Sequence, residues 1–272
     1  MLAVWFSPTG TTERTAAAIS QKLAAKLGVP LHSISLTAPS ARDREFLFSD
    51  TDLVVAACPT YAGRLPNRIV PDLRRTLRTE NRGALAVPVV TFGNRAFDNA
   101  LAELCALLSG NGFRNVSAAA FVCRHAFTDK LGQGRPDRND RRSMEAFAEQ
   151  TAEKVRDLDP DGPIPPPHVP GNPEAPYYIP RGTDGEPAGF LKAKPRTDLS
   201  RCTRCGACAR RCPVDAIDKT EPWNVPGVCI KCQACVRCCT RRAKYFDDPA
   251  FLSHVAMIEG AYAEPKGNRI FV

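Results

Sequence analysis

Tryptophan and histidine are scarce in this 272-residue chain, with two and four copies, and methionine occurs three times. His32, His168 and His254 stand alone in the sequence and are given no site. No stretch of about 18 apolar residues exists, so no membrane-spanning helix is expected. The run Met1–Phe6 is short and soon meets Pro8 and Gly10, which argues against a secretory signal. No G-x-G-x-x-G follows a strand. Gly110-Asn-Gly112 lacks the third glycine and follows a helix, so a nicotinamide site is not indicated.

Cysteine, by contrast, is abundant. Nine of the twelve fall between 202 and 239, in two matching runs. The first is Cys202-x-x-Cys205-x-x-Cys208-x-x-x-Cys212, followed by Pro213, and the second is Cys229-x-x-Cys232-x-x-Cys235-x-x-x-Cys239. Each member of the second run lies 27 residues after its counterpart, the mark of an internal duplication. Three thiolates at i, i+3 and i+6 suit three corners of an iron–sulfur cube, and in this spacing the fourth cysteine ligates the other cluster. Cys202, Cys205, Cys208 and Cys239 are thus expected to hold one [4Fe–4S] cluster, and Cys229, Cys232, Cys235 and Cys212 a second. Structural zinc takes two ligand pairs, and each run here offers one thiol too many for that layout. A disulfide framework does not suit so long a chain without a leader, and a reducing, cytoplasmic setting is expected. Cys238 is a second candidate beside Cys239, and the spacing favours Cys239.

From Lys194 to Asp247 the chain resembles a bacterial two-cluster ferredoxin, which implies two small pseudo-symmetric halves around the clusters. Residues 196–246 carry 11 Lys/Arg against 4 Asp/Glu, part of an overall net charge of +8. Each cluster adds a formal charge of about −2, so this excess reads as cofactor compensation plus a mildly basic docking face rather than a nucleic-acid surface. Arg241 and Arg242 are expected to raise the potential of the nearby cluster.

Upstream, residues 1–158 alternate apolar runs with amphipathic stretches, as in a parallel sheet covered by helices on both faces. Strands are expected at 2–6, 31–36, 53–58, 84–91 and 116–123, in the order 2-1-3-4-5. Helices are expected at 12–27, 40–48, 69–78, 97–108 and 140–158, the first ending at Gly28. Ser7-Pro-Thr-Gly-Thr-Thr12 joins the first strand to the first helix, where backbone N–H groups and the helix dipole favour a phosphate. No Lys follows in the Walker pattern, so nucleoside triphosphate chemistry is not expected. An ordinary threonine-capped turn is the simpler alternative for this loop. Two more loops, Cys58–Pro66 and Thr91–Phe97, leave the carboxyl ends of strands three and four, each with an aromatic residue and a glycine.

Together these loops resemble the three FMN-binding loops of flavodoxins. The resemblance implies that Ser7, Thr9, Gly10, Thr11 and Thr12 hold the phosphate. It also implies that Pro59, Thr60, Tyr61, Ala62 and Gly63, with Thr91, Phe92, Gly93 and Asn94, frame the flavin ring. Tyr61 and Phe97 would be ring neighbours, and the Ala62–Gly63 peptide would partner flavin N5. The tryptophan that often stacks on the ring in short-chain flavodoxins is missing. Cys105 and Cys123 read as buried core thiols, and Cys58 as a buried thiol with a place close to the flavin open to it and no role required. The polar insertion 124–140, with His125, Arg135 and Arg138, reads as a solvated loop, with a flavin cover or a substrate contact as alternatives.

Eleven of the 24 prolines fall between Pro160 and Pro195, so 159–195 reads as a semi-rigid connector between a flavin domain (1–158) and a ferredoxin-like domain (196–248). Its Tyr177-Tyr178-Ile179 and Phe190-Leu191 groups are expected to lie in grooves and fix the two parts together. Residues 249–272 are expected to pack as a helix and tail. The whole resembles flavodoxin–ferredoxin fusion proteins of anaerobic microbes, which implies electron transfer between FMN, two clusters and a protein partner. Reduction of a small acceptor such as a quinone at the flavin is the main alternative, and a redox sensor or nucleic-acid-binding module the second. The identity of the partner and the oligomeric state are not legible in the sequence.

Overall fold

Apolar residues fill both faces of strand Leu85–Phe92, where every position after Leu85 is buried, so this strand must lie in the middle of a covered sheet. The computed structural model, which describes residues 1–81, 83–159 and 162–272, places it there. The parallel strands are β1 (Leu2–Trp5), β2 (His32–Ser35), β3 (Leu53–Pro59), β4 (Leu85–Phe92) and β5 (Ala118–Val122), in spatial order 2-1-3-4-5. This is the flavodoxin-like, doubly wound order. Side-chain alternation sends Val4 and Phe6 into one core layer and Ala3 and Trp5 into the other. Helices α1 (Thr11–Leu27) and α4 (Arg138–Arg156) pack together against the second layer, while α3 (Ala100–Gly110) covers the first. Gly28 ends α1 in the left-handed conformation, φ +69°.

Two expectations fail locally. Residues 40–48 form no α-helix. A 3₁₀ turn, Pro39–Arg42, is followed by a short strand, Phe46–Phe48, parallel to Leu77–Thr79. Arg42 explains the turn, because its buried guanidinium donates to the carbonyls of Leu36, Thr37 and Ala38 and closes the chain on itself. The same ladder shortens the next helix, α2, to Val70–Thr76.

The C-terminus joins the first body. Strand β6 (Arg269–Phe271) runs antiparallel to β5, pairing Ile270 with Ala119, and extends the sheet at that edge. The expected tail is thus an antiparallel edge strand of the main sheet, preceded by a helix, Pro249–Ala261, that Asp248 caps by accepting the Phe251 N–H at 2.9 Å.

Pro160 and Asp161, at the start of the proline-rich connector, lie outside the described residues. Beyond them the connector is bonded to the α/β body. The Tyr178 N–H donates to the Ala62 carbonyl at 2.8 Å, and the Tyr177 hydroxyl to that of Leu65 at 2.8 Å. Phe190 is buried against Phe251. Ile179 and Leu191, expected in grooves, are instead 64% and 87% exposed.

The cysteine-rich segment contains two short helices, α5 (Ala207–Arg210) and α6 (Ala234–Cys238). A two-stranded ladder joins Arg196–Thr197 to Lys244–Tyr245. With these two included, Pro249–Ala261 is α7. Buried Arg42 ties this segment to the α/β body by donating to the Pro213 carbonyl at 2.6 Å.

Candidate functional site

The loops after β1, β3 and β4 meet in one cavity of about 580 Å³, within the range of ordinary small-molecule and cofactor sites. Pro8, Thr9, Thr11 and Thr12 line one end, Pro59–Gly63 and Thr91–Gly93 the middle. Gly10 supplies the left-handed turn (φ +78°) that starts α1. Ser7 does not line the cavity, because its hydroxyl oxygen accepts the Glu13 N–H at 3.0 Å inside the helix start. Thr12 and Thr91 are joined through their hydroxyls at 2.8 Å, which fixes the first loop against the third. The Thr60 hydroxyl is buried without a partner among the described residues.

Asn94 and Phe97 lie outside the cavity lining. Asn94 has left-handed backbone (φ +67°) and is tied to the C-terminal tail instead. Its amide donates to the carbonyls of Tyr262 and Glu264 at 2.7 and 3.0 Å, and its oxygen accepts the Lys266 N–H. Phe97 packs on Phe92, centroids 5.5 Å apart, as part of the core. The Ala62–Gly63 peptide forms a tight turn with both residues at positive φ, and the connector's Tyr178 occupies the Ala62 carbonyl. A side chain at Gly63 would strike Asp98.

The far wall was legible only in part, since a flavin cover was one alternative for the 124–140 insertion and the other segments were given no place in the cavity. Arg124–Phe127, Tyr178, Phe190, Val228–Lys231, His254 and Ile258 complete the cavity, brought there by four separate segments. The insertion is therefore no free loop at its start. His125 packs over Gly93, and its Nδ1 accepts the Phe127 N–H at 3.1 Å, leaving the neutral ring's proton on Nε2. Burial, with the positive neighbours His254, Arg95 and Arg237, pulls its pKa down to about 4. Tyr61 is driven well above the usual phenol range by burial, with Cys232, Cys58 and Cys229 adding to the shift.

Cys229 and Ile230 also line a second, smaller cavity, which gathers Cys212, Cys229, Cys232 and Cys235 among apolar residues such as Val214, Ile217, Val225 and Phe246. One short segment is thus a wall common to both spaces. The cysteine duplication extends to the backbone. Arg204 and Lys231, Gly206 and Gln233, and Asp215 and Arg242 are pairs 27 residues apart, and all six have positive φ. The bonds to sulfur repeat as well. Arg204 and Lys231 donate N–H to Cys202 and Cys229 at 3.4 and 3.3 Å, and Ala216 and Ala243 to Cys212 and Cys239, both at 3.2 Å. This pairs Cys239 with Cys212, while Cys238 falls opposite Arg211 and gives its thiol proton to the Cys235 carbonyl within α6.

The two halves differ in exposure. Cys212, Cys232 and Cys235 are buried, whereas Cys205 is exposed and its pKa is held down first by the Ala207 N–H. Arg201, Arg204, Arg210 and Arg211, in and beside the first cysteine run, and Arg241 and Arg242, after the second, are all exposed. Among the described residues, no group of three or more His, Cys, Asp or Glu is arranged to hold a single metal ion. The corners of a cube do not require such convergence. No helix among the described residues is long and apolar enough to cross a membrane.

The family model of a 4Fe-4S binding domain matches residues 195–218. No curated protein matches the chain. Among solved structures it is similar to a flavodoxin from the domain Archaea, with 14% identity over 57% of this chain and 97% of that one, at a TM-score of 0.40. A flavodoxin of Streptococcus pneumoniae TIGR4 is 25% identical over 57% and 100%, also at 0.40. An NADH:FMN oxidoreductase in its apo form is 17% identical over 56% and 87%, at 0.42. A flavodoxin-like sheet and a 4Fe–4S binding segment are joined in this one chain, and the combination supports an electron-transfer role.

Proposed function

We propose that the chain carries one FMN and two [4Fe–4S] clusters in series and passes electrons between the flavin and a protein partner. FMN exchanges one or two electrons with a proton, and each cluster exchanges one electron. The residues fit both groups. Thr9, Thr11 and Thr12 at the start of α1 suit a phosphate, and the orphaned Thr60 hydroxyl suits a polar edge of the ring. The repeated N–H bonds to Cys202, Cys229, Cys212 and Cys239 suit ligating thiolates, which accept hydrogen bonds and carry charge. Cys202, Cys205, Cys208 and Cys239 would hold one cluster, and Cys229, Cys232, Cys235 and Cys212 the other.

The observation that carries the reading is the common wall of Cys229 and Ile230. On this reading a cluster held at Cys229 would lie next to the flavin, and one held at Cys202, with exposed Cys205, would be the outer port. The exposed arginines of the cysteine-rich segment, four of them in or beside the first run, favour an acidic redox protein as the partner. Anaerobic purification with iron, sulfide and FMN quantified, then a spectroscopic redox titration, tests this. Three separable centres support the reading, and a chain without acid-labile sulfide or without flavin rejects it.

A second reading, reduction of a small acceptor at the flavin, draws on the additional cavity wall from His125, Phe127, Phe190 and His254. Turnover on a defined acceptor without any protein partner would favour it.

A further inference from the structure

Lys244 stands where the 27-residue duplication places Ile217 in the first half. Ile217 is an ordinary core residue, 4% exposed and packed with Ala209, Cys212, Val225 and Cys235. Lys244 is as deeply buried, at 3%, yet its Nζ has no hydrogen-bond partner among the described residues. Across the short antiparallel ladder its register partner is Thr197, whose hydroxyl is also buried and unpartnered. Two orphaned donors on facing residues are costly, since a buried polar group without a partner forfeits its hydration and a buried charge forfeits more. Such a pair calls for an acceptor carrying negative charge.

The neighbours of Lys244 indicate which one. Its strand packs against α6, which carries Cys235. Helix α6 packs in turn on α5, which carries Cys208, and Ala243, next to Lys244 in the chain, donates its N–H to the Cys239 sulfur at 3.2 Å. Cys208 and Cys239 are assigned to one cluster and Cys235 to the other, so the strand of this buried cation sits among elements that carry ligands of both.

We propose that Lys244 is the internal counter-ion of the two clusters and sets their potentials, with the Thr197 hydroxyl as a weaker second donor beside it. This rests on the two-cluster reading above. A fixed positive charge favours the more negative, reduced form of each centre, so Lys244 raises the reduction potentials above those of an apolar neighbour.

The test is Lys244→Ile, which restores the residue of the other half, beside Lys244→Arg, which keeps the charge. Both are purified anaerobically as the full chain, assayed for iron, acid-labile sulfide and FMN, and titrated by EPR-monitored reduction. With wild-type cofactor content, Lys244→Ile is expected to weaken one-electron reduction of at least one cluster tenfold or more, which is about 59 mV. Lys244→Arg is expected to stay close to wild type. If Lys244→Ile loses iron while Lys244→Arg keeps it, the need for a cation at this position is supported. Unchanged potentials in a fully loaded Lys244→Ile protein overturn the proposal, as does equal loss of iron in both variants. A wild-type chain without acid-labile sulfide would instead reject the cluster reading itself, before any variant is compared.

Discussion

Arg42 and Pro213 are joined by a 2.6 Å hydrogen bond, from a guanidinium in the α/β body to a carbonyl beside Cys212. The same side chain pairs with Asp72 at 2.7 Å and donates to the Leu36, Thr37 and Ala38 carbonyls. One buried arginine therefore shapes the turn after β2 and holds the cysteine-rich segment in place. Arg42→Met leaves several buried carbonyls unsatisfied and Asp72 with only its longer pair to Arg75, at 3.5 Å. A loss of about 2–4 kcal/mol is expected, measured as a lower urea midpoint, together with slower electron exchange between clusters and flavin.

Cys238 and Cys239 are adjacent, and only Cys239 shares its backbone setting with Cys212. Cys239→Ser is expected to lose one cluster, about half of the bound iron. Cys238→Ser is expected to keep all of it. Iron and sulfide analysis of the two variants, with EPR of the reduced proteins, checks the assignment.

The arginines around the Cys202 half set an ionic-strength dependence. Arg201→Glu combined with Arg204→Glu is expected to slow reduction by an acidic redox protein about tenfold at low salt and much less at high salt. Stopped-flow rates at several salt concentrations measure this. Equal rates for wild type and variant at low salt would remove the docking face from the account.

His125 makes a pH prediction. Its folded-state pKa of about 4 lies below the ordinary value of 6.5, so the unfolded chain binds more protons between those limits. The stability it contributes is fully present above pH 6.5 and declines as pH falls toward 4, by about 1.4 kcal/mol per unit at most. Further acidification protonates Asp140. Burial raises its pKa, but bonds from Arg135, the Asp137 N–H and Asn268 outweigh burial and hold it below the carboxylate range. His125→Gln is expected to flatten the decline between pH 6.5 and 4 in denaturation curves and leave the steeper loss below it.

Patterns local in sequence were the legible ones. The five parallel strands and the cysteine runs follow from apolar alternation and spacing, and the structure has the strands in the expected order. What escaped depends on contacts between distant segments. Nothing in Asn94 itself announces that the tail at 262–266 will occupy its side chain, although a left-handed asparagine after a strand suits such a turn. Strand β6 is three residues long, too brief for a periodic signal, and forms because β5 offers an edge. Lys244 had a signal that was available. It breaks a duplication that otherwise places an isoleucine at the same step.

The arrangement of centres is tested most directly by EPR of anaerobic protein reduced until flavin and clusters are both paramagnetic. The account predicts that the flavin signal is broadened by a neighbouring cluster, that Cys202→Ser retains the broadening, and that Cys229→Ser abolishes it. Broadening that survives Cys229→Ser and disappears with Cys202→Ser would place the wrong cluster beside the flavin and contradict the account.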